Sequence, residues 1–122
     1  MISHLKPIEP VDYLVVGHIT QDIAPDGFVP GGTASYSSLT ARAFGLRVGI
    51  LTAYAADAIL PDLTGIQIIS TISEQSTVFE NKYEEDGRHQ KILSRAEILI
   101  PNQVPQTWAN PKIVHLGPIA DE

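Results

Sequence analysis

Two adjacent glycines, Gly31 and Gly32, run directly into Thr33-Ala34-Ser35-Tyr36-Ser37-Ser38-Leu39-Thr40-Ala41-Arg42-Ala43-Phe44, a stretch of mostly small residues closed by Gly45. Paired glycines adopt torsions that other residues avoid and let the backbone approach a neighbour closely, so the chain turns sharply here into a helix over about 33–44. Thr33 or Ser35 can serve as N-cap, and Gly45 suits the residue just past the end. Tyr36, Leu39 and Ala43 share one face, while Ala34 and Ala41 allow close packing on a sheet. The helix start presents unpaired N–H groups to a polar small molecule. Spacing alone fits a purely structural Gly-Gly turn equally well.

Apolar runs flank this helix. Val11-Asp12-Tyr13-Leu14-Val15-Val16-Gly17 suits a buried central strand, and residues 47–54 read as the next one. Strand, helix, strand in this order predicts a right-handed parallel crossover. His18 to Asp22 then carry polar groups to the strand end, where α/β sheets bind ligands, and Ala24-Pro25-Asp26-Gly27 reads as a turn before a short strand at Phe28-Val29. Pro61 cuts short any second helix over 55–65. Residues 66–72 alternate as a strand. Residues 77–83 and 88–93 flank Glu84-Glu85-Asp86-Gly87, whose Asp-Gly favours a hairpin too polar for the core; it should lie over the sheet or against another subunit. Residues 105–111 can hold one helical turn, and residues 112–118 read as another buried strand.

The 122 residues suit one domain, with no repeat or linker marking a boundary. With 14 acidic against 8 basic residues the net charge is -6 and no basic cluster follows a phosphate backbone, which argues against nucleic acid. The absence of cysteine excludes disulfides and thiolate sites. No leader-like start or bilayer-length apolar run is seen, so a cytoplasmic protein without a membrane partner is expected.

Asp22 is the carboxylate best placed for function, since it follows a buried strand and can accept hydrogen bonds from two hydroxyls of a polyol. A surface Asp capping a loop is the plainer alternative. His18 and Asp22 do not make a metal site without further ligands, so no protein-held metal is expected. His115, within an apolar strand, suits a hydrogen-bonded core histidine. Gly-x-Ser-x-Gly, Gly-x-Gly-x-x-Gly and the Walker loop are all absent.

The succession of Val15 to Asp22, the Gly31-Gly32 helix entry, Val48-Gly49-Ile50-Leu51-Thr52 leading to Asp57, the 77–93 hairpin and Ile113 to Ala120 resembles the N-terminal part of the ribokinase/PfkB family of carbohydrate kinases. The resemblance implies an α/β fold, a ribokinase-like three-layer sandwich (N-terminal portion only) with a β-hairpin lid, and transfer of a phosphoryl group from ATP to a hydroxyl of a sugar, cyclitol or nucleoside. ATP and magnesium are implied in the same way, though neither site is identifiable. Asp22 resembles the family's substrate-orienting aspartate, and Gly31 and Gly32 the glycines beside the substrate. Thr20 and Tyr36 stand where asparagines are usual, so they are expected to alter the substrate contacts; Gly-Gly followed by Ala34-Ser35-Tyr36 is similar to a subset of cyclitol kinases. Phe79, Asn81, Tyr83, Arg88 and Gln90 are the expected lid residues, on a hairpin that also serves as a homodimer contact. The Gly-x-Gly-Asp motif with the catalytic aspartate does not occur, so residues 1–122 are expected to be a truncated substrate-binding and lid portion, inactive alone. A non-catalytic polyol-binding or interaction module of the same fold is the alternative, and an unrelated α/β domain a third.

Overall fold

In the computed structural model, which describes residues 7–120, the chain runs β1 (Tyr13–Val16), β2 (Thr20–Ala24), β3 (Gly27–Gly31), α1 (Thr33–Ala43), β4 (Val48–Ala55), β5 (Gln67–Ser73), β6 (Val78–Glu84), β7 (Gly87–Ser94) and β8 (Ile113–Leu116). Residues 1–6, where the sequence shows no leader-like run, lie outside the described residues. Two four-stranded sheets form. The first is wholly parallel, in the order β5-β4-β1-β8; the second is mixed, in the order β3-β2-β6-β7. None of the described helices is long and apolar enough to cross a membrane.

Alternation along β1 separates two cores. Val15, with Val48 and Ile50 of β4, packs under Ala34 and Ala41 of α1. Leu14 faces the other way, onto Trp108 and Val11. The expected parallel crossover from β1 through α1 to β4 is present, with Leu14 opposite Gly49. Gly49 makes room for Trp108, whose ring carbons lie 3.0–3.1 Å from where a Cβ would stand. Trp108 belongs to the 3-10 turn Gln106–Trp108, the single helical turn expected over 105–111, and its indole N–H donates to the Glu9 carbonyl at 3.0 Å.

Four expectations are corrected. Residues 18–22 are not simply a polar strand end: Thr20–Ala24 is a strand, because the Pro25-Asp26 turn returns the chain so that Thr20 pairs with Gly31 and Ala24 with Gly27. Neither Thr33 nor Ser35 caps α1. The turn falls at Gly32, φ 88°, which takes the N-cap position, and Ser35 Oγ donates back to the Gly31 carbonyl at 2.8 Å. The buried face of α1 is Ala34, Ser35, Ser38 and Ala41, not Tyr36, Leu39 and Ala43. Small residues let the helix sit close to the sheet, leaving Leu39 at the margin and Tyr36 64% exposed. Finally, β8 is not buried among the described residues: there it pairs with β1 on one side, and Ile113, Val114 and Leu116 are exposed. On that strand His115 is only half-buried, with Nδ1 bonded to the Tyr13 hydroxyl.

The C-terminal end of α1 is as expected. Gly45 takes φ 82°, its N–H bonds to the Arg42 carbonyl at 2.8 Å, and the Leu46 N–H reaches the Ala41 carbonyl at 3.2 Å, so the last carbonyls are satisfied. The hairpin also turns where Asp-Gly indicated, with Glu84 opposite Gly87. It is not free-standing, because β6 pairs with β2 through Gln21 and Asp22.

Asp12 ties the starts of β1 and β4 together. Its carboxylate receives the Arg47 Nε and Nη2 donors at 3.2 and 2.9 Å and the Arg47 backbone N–H at 2.9 Å. The guanidinium hydrogen bond, then the backbone one, hold the Asp12 carboxyl down at about 2. A depressed carboxyl stabilises the fold above its unfolded value of about 4, and that contribution is lost as pH falls through about 2. Urea melts of wild type and Asp12→Asn should therefore differ at pH 5 and converge toward pH 2. Gly49→Ala, which forces a methyl onto the Trp108 ring, should lower unfolding free energy by about 1–3 kcal/mol in the same assay.

Candidate functional site

The two sheets join where the chain leaves β1, and buried polar bonds make the joint. His18 is 1% exposed. Its Nε2 meets the Glu97 carbonyl at 2.7 Å, so that nitrogen carries a proton; its Nδ1 meets Thr77 Oγ1, also at 2.7 Å, and the same Oγ1 accepts the Ala96 N–H at 3.0 Å. The Ile19 N–H donates to Thr52 Oγ1 at 2.9 Å, and the amide of buried Gln21 exchanges bonds with the Ile59 backbone at 2.8 Å in both directions. His18 is thus a structural residue that anchors the base of β6 to the end of β1.

This joint leaves a cleft of about 910 Å³ between the start of α1, β2 and the hairpin. Thr20 and Asp22 lie on one face of β2, as residues two apart on a strand must. Thr20 is wholly buried and its hydroxyl donates to Asp22 Oδ1 at 2.9 Å. From the hairpin, the cross-strand pairs Asn81 with Gln90 and Tyr83 with Arg88, together with Phe79, supply the opposite wall. Thr20, Asp22, Gly32, Tyr36, Phe79, Asn81, Tyr83, Arg88 and Gln90 all line this one cleft. Gly31 does not line it. A Cβ there would stand 2.5 Å from Asp22 Oδ2 and 2.9 Å from Thr20 Oγ1, so Gly31 lies packed beneath the carboxylate.

Among the lining residues Asp22 is the one carboxylate and Arg88 the one cation. Ser37 Oγ and Asn81 Oδ1 are buried without a hydrogen-bond partner among the described residues. Thr33, Ser37 and Ile119 also line the cleft and were missed from sequence. Thr33 and Ser37 were hidden by their ordinary helical setting, although Ser37 is one turn from Thr33 on the same face. Nothing local marks Ile119, which arrives from beyond β8 across a long sequence separation.

The residues lining the cleft do not supply a site for the implied magnesium. Its single carboxylate already accepts from Thr20, and no second acidic group stands beside it to complete an oxygen set for a divalent ion. Glu84, Asp86 and His89 do cluster on the hairpin, but they are exposed and outside the lining set. His89 Nε2 lies 2.8 Å from Asp86 Oδ1, an ion pair when the ring is protonated.

A pyrophosphate-dependent kinase in the ribokinase family, complexed with a pyrophosphate analogue and myo-inositol, is similar in fold, with a TM-score of 0.66 at 18% identity, over 87% of this chain and 39% of that one. The fold is ribokinase-like. A pyrophosphate-dependent myo-inositol-1 kinase converted by two substitutions into a myo-inositol-3 kinase gives 0.63 at 17% identity, over 87% and 38%. A sulfate complex of a pyrophosphate-dependent kinase in the ribokinase family gives 0.61 at 20% identity, over 87% and 41%. The ribokinase-like fold expected from the motif succession is borne out, and the chain spans about two fifths of the length of these kinases. No protein-family model and no curated sequence matches it.

The cleft depends on how Gly32 enters α1. At φ 88° a side chain is strained, and a Cβ would stand 2.7 Å from the His18 carbonyl oxygen. Gly32→Ala should cost more than about 1 kcal/mol in chemical denaturation; an unchanged midpoint would show that the helix can start elsewhere.

Proposed function

We propose that this chain is the substrate-binding and lid portion of a kinase that phosphorylates a hydroxyl of a cyclitol, with sugars and nucleosides as the wider class. The observation that carries the reading is the convergence of a hydrogen-bonded carboxylate, Asp22, and the amide and hydroxyl groups of the hairpin on one cleft beside the start of α1. A carboxylate facing amides can sort the hydroxyls of a ring by position, since it accepts while the amides both donate and accept. The solved structures most relevant to it include one holding myo-inositol, which is consistent with a compact, neutral polyol in this cleft.

In this reading Asp22 and Gly32 form the floor, Tyr36 sets the width beside the helix, and Phe79, Asn81, Tyr83, Arg88 and Gln90 close over the substrate and exclude water from phosphoryl transfer. Thr20 supports Asp22 from below. The donor is a phosphoanhydride: ATP by the sequence resemblance, pyrophosphate by analogy with the solved structures. With no second carboxylate in the cleft to act as base, the chain binds polyol and does not turn it over.

Calorimetric titration with myo-inositol tests this reading. Wild type should bind, and Asp22→Ala should weaken binding at least tenfold, about 1.4 kcal/mol. Equal affinity in the two proteins would remove Asp22 from the site, and ATP or pyrophosphate turnover by this chain alone would contradict the division of labour proposed.

A further inference from the structure

Thr20 occupies a place where a substrate contact was expected, yet it is fully buried. A threonine hydroxyl has one proton, and this one is directed to Asp22 Oδ1 at 2.9 Å. Both branches of the side chain are buried, beside the backbone of Gly31 and Gly32. The point where Gly31 would carry a Cβ lies 2.9 Å from Thr20 Oγ1, and the corresponding point on Gly32 lies 3.3 Å from Thr20 Cγ2. A β-branched side chain so confined has a single χ1 setting, and its hydroxyl therefore has a fixed direction. Asp22 Oδ2 has no hydrogen-bond partner among the described residues and lies over Gly31, 2.5 Å from where a Cβ would stand.

We propose that Thr20 is a positioning residue: its buried hydroxyl holds Asp22 in one rotamer over Gly31, so that Oδ2 is the oxygen presented to a substrate hydroxyl. The proposal rests on the polyol-binding reading for its functional meaning, but the positioning itself does not require a ligand. A freely rotating carboxylate would accept from hydroxyls in several orientations. One whose Oδ1 is already engaged orients the ring through Oδ2, which makes Thr20 a determinant of which hydroxyl faces the donor without its touching the substrate. Gly31 takes part by having no side chain, since a methyl there would occupy the space of Oδ2.

Three-bond couplings from Asp22 Cγ to its own backbone N and carbonyl carbon, measured by NMR on the whole chain without ligand, report χ1 directly. Wild type and Thr20→Ser should show one rotamer, and Thr20→Val, isosteric but without the donor, should show averaged couplings. Thr20→Ala is the second donor-free variant, used should valine disturb the fold. Averaging in wild type, or a single retained rotamer in a folded donor-free variant, would overturn the proposal. Titration with myo-inositol then separates it from the functional reading. Donor-free variants should bind roughly tenfold more weakly than wild type, with Thr20→Ser close to wild type. Single-rotamer couplings in a wild type that binds no polyol would leave the positioning intact and refute the polyol site. Polyol binding by a wild type with averaged couplings would do the reverse.

Discussion

At one corner of the molecule three stretches of backbone must pass within contact distance of each other, and the cleft exists only because they do. A Cβ on Gly32 would stand 2.7 Å from the His18 carbonyl oxygen, one on Gly17 2.4 Å from the Gly117 carbonyl oxygen, and one on Gly117 2.8 Å from Thr33 Cγ2. Side chains at these points would push the start of α1 away from the ends of β1 and β8. Glycine therefore sets how near the first turn of the helix comes to β2, and through that how near any ligand comes to Asp22.

Within the second sheet the hairpin hangs from β2 by a short ladder. β6 meets β2 through two residue pairs, Gln21 with Val78 and Asp22 with Phe79, which is little ladder to orient a long hairpin. Buried hydrogen bonds make up the difference. His18, Thr77, Glu97 and Ala96 form one closed set; Ser76 adds a bond to the Ala55 N–H at 2.9 Å, and the Ser94 hydroxyl reaches the Ser76 carbonyl at 2.7 Å. Apolar contact would hold the sheets together in many orientations, whereas directional bonds at the joint select one. The hairpin pairs then face Asp22 because the joint is polar.

Much of the architecture was legible from local chemistry. The β1, α1 and β4 order followed from apolar runs around a small-residue helix, the hairpin from Asp-Gly between polar strands, and the helix end from Gly45. Asp22 was legible as a residue of the cleft because it follows a buried strand. Large apolar residues of a helix commonly face the core. In α1 they do not, because the sheet comes so close that alanine and serine fill the interface and Tyr36 is displaced to the cleft side. The strand at Thr20–Ala24 was obscured in the same way: its partner, β3, is short and contains Pro30, so neither strand looks regular alone.

By itself the sequence determined most of the strands, β2 excepted, where the backbone would turn, and that a carboxylate and a polar hairpin would share one end of a parallel sheet. Those properties come from torsional preference and period, which act within a few residues. Only the tertiary structure decided that the Thr20 hydroxyl donates to Asp22, that Gly31 lies beneath the carboxylate while Gly32 borders the cleft, and that Ile119 joins them from beyond β8. Each of these depends on distances between segments set by packing and by the buried bonds at the joint, and such distances have no local signature in the chain.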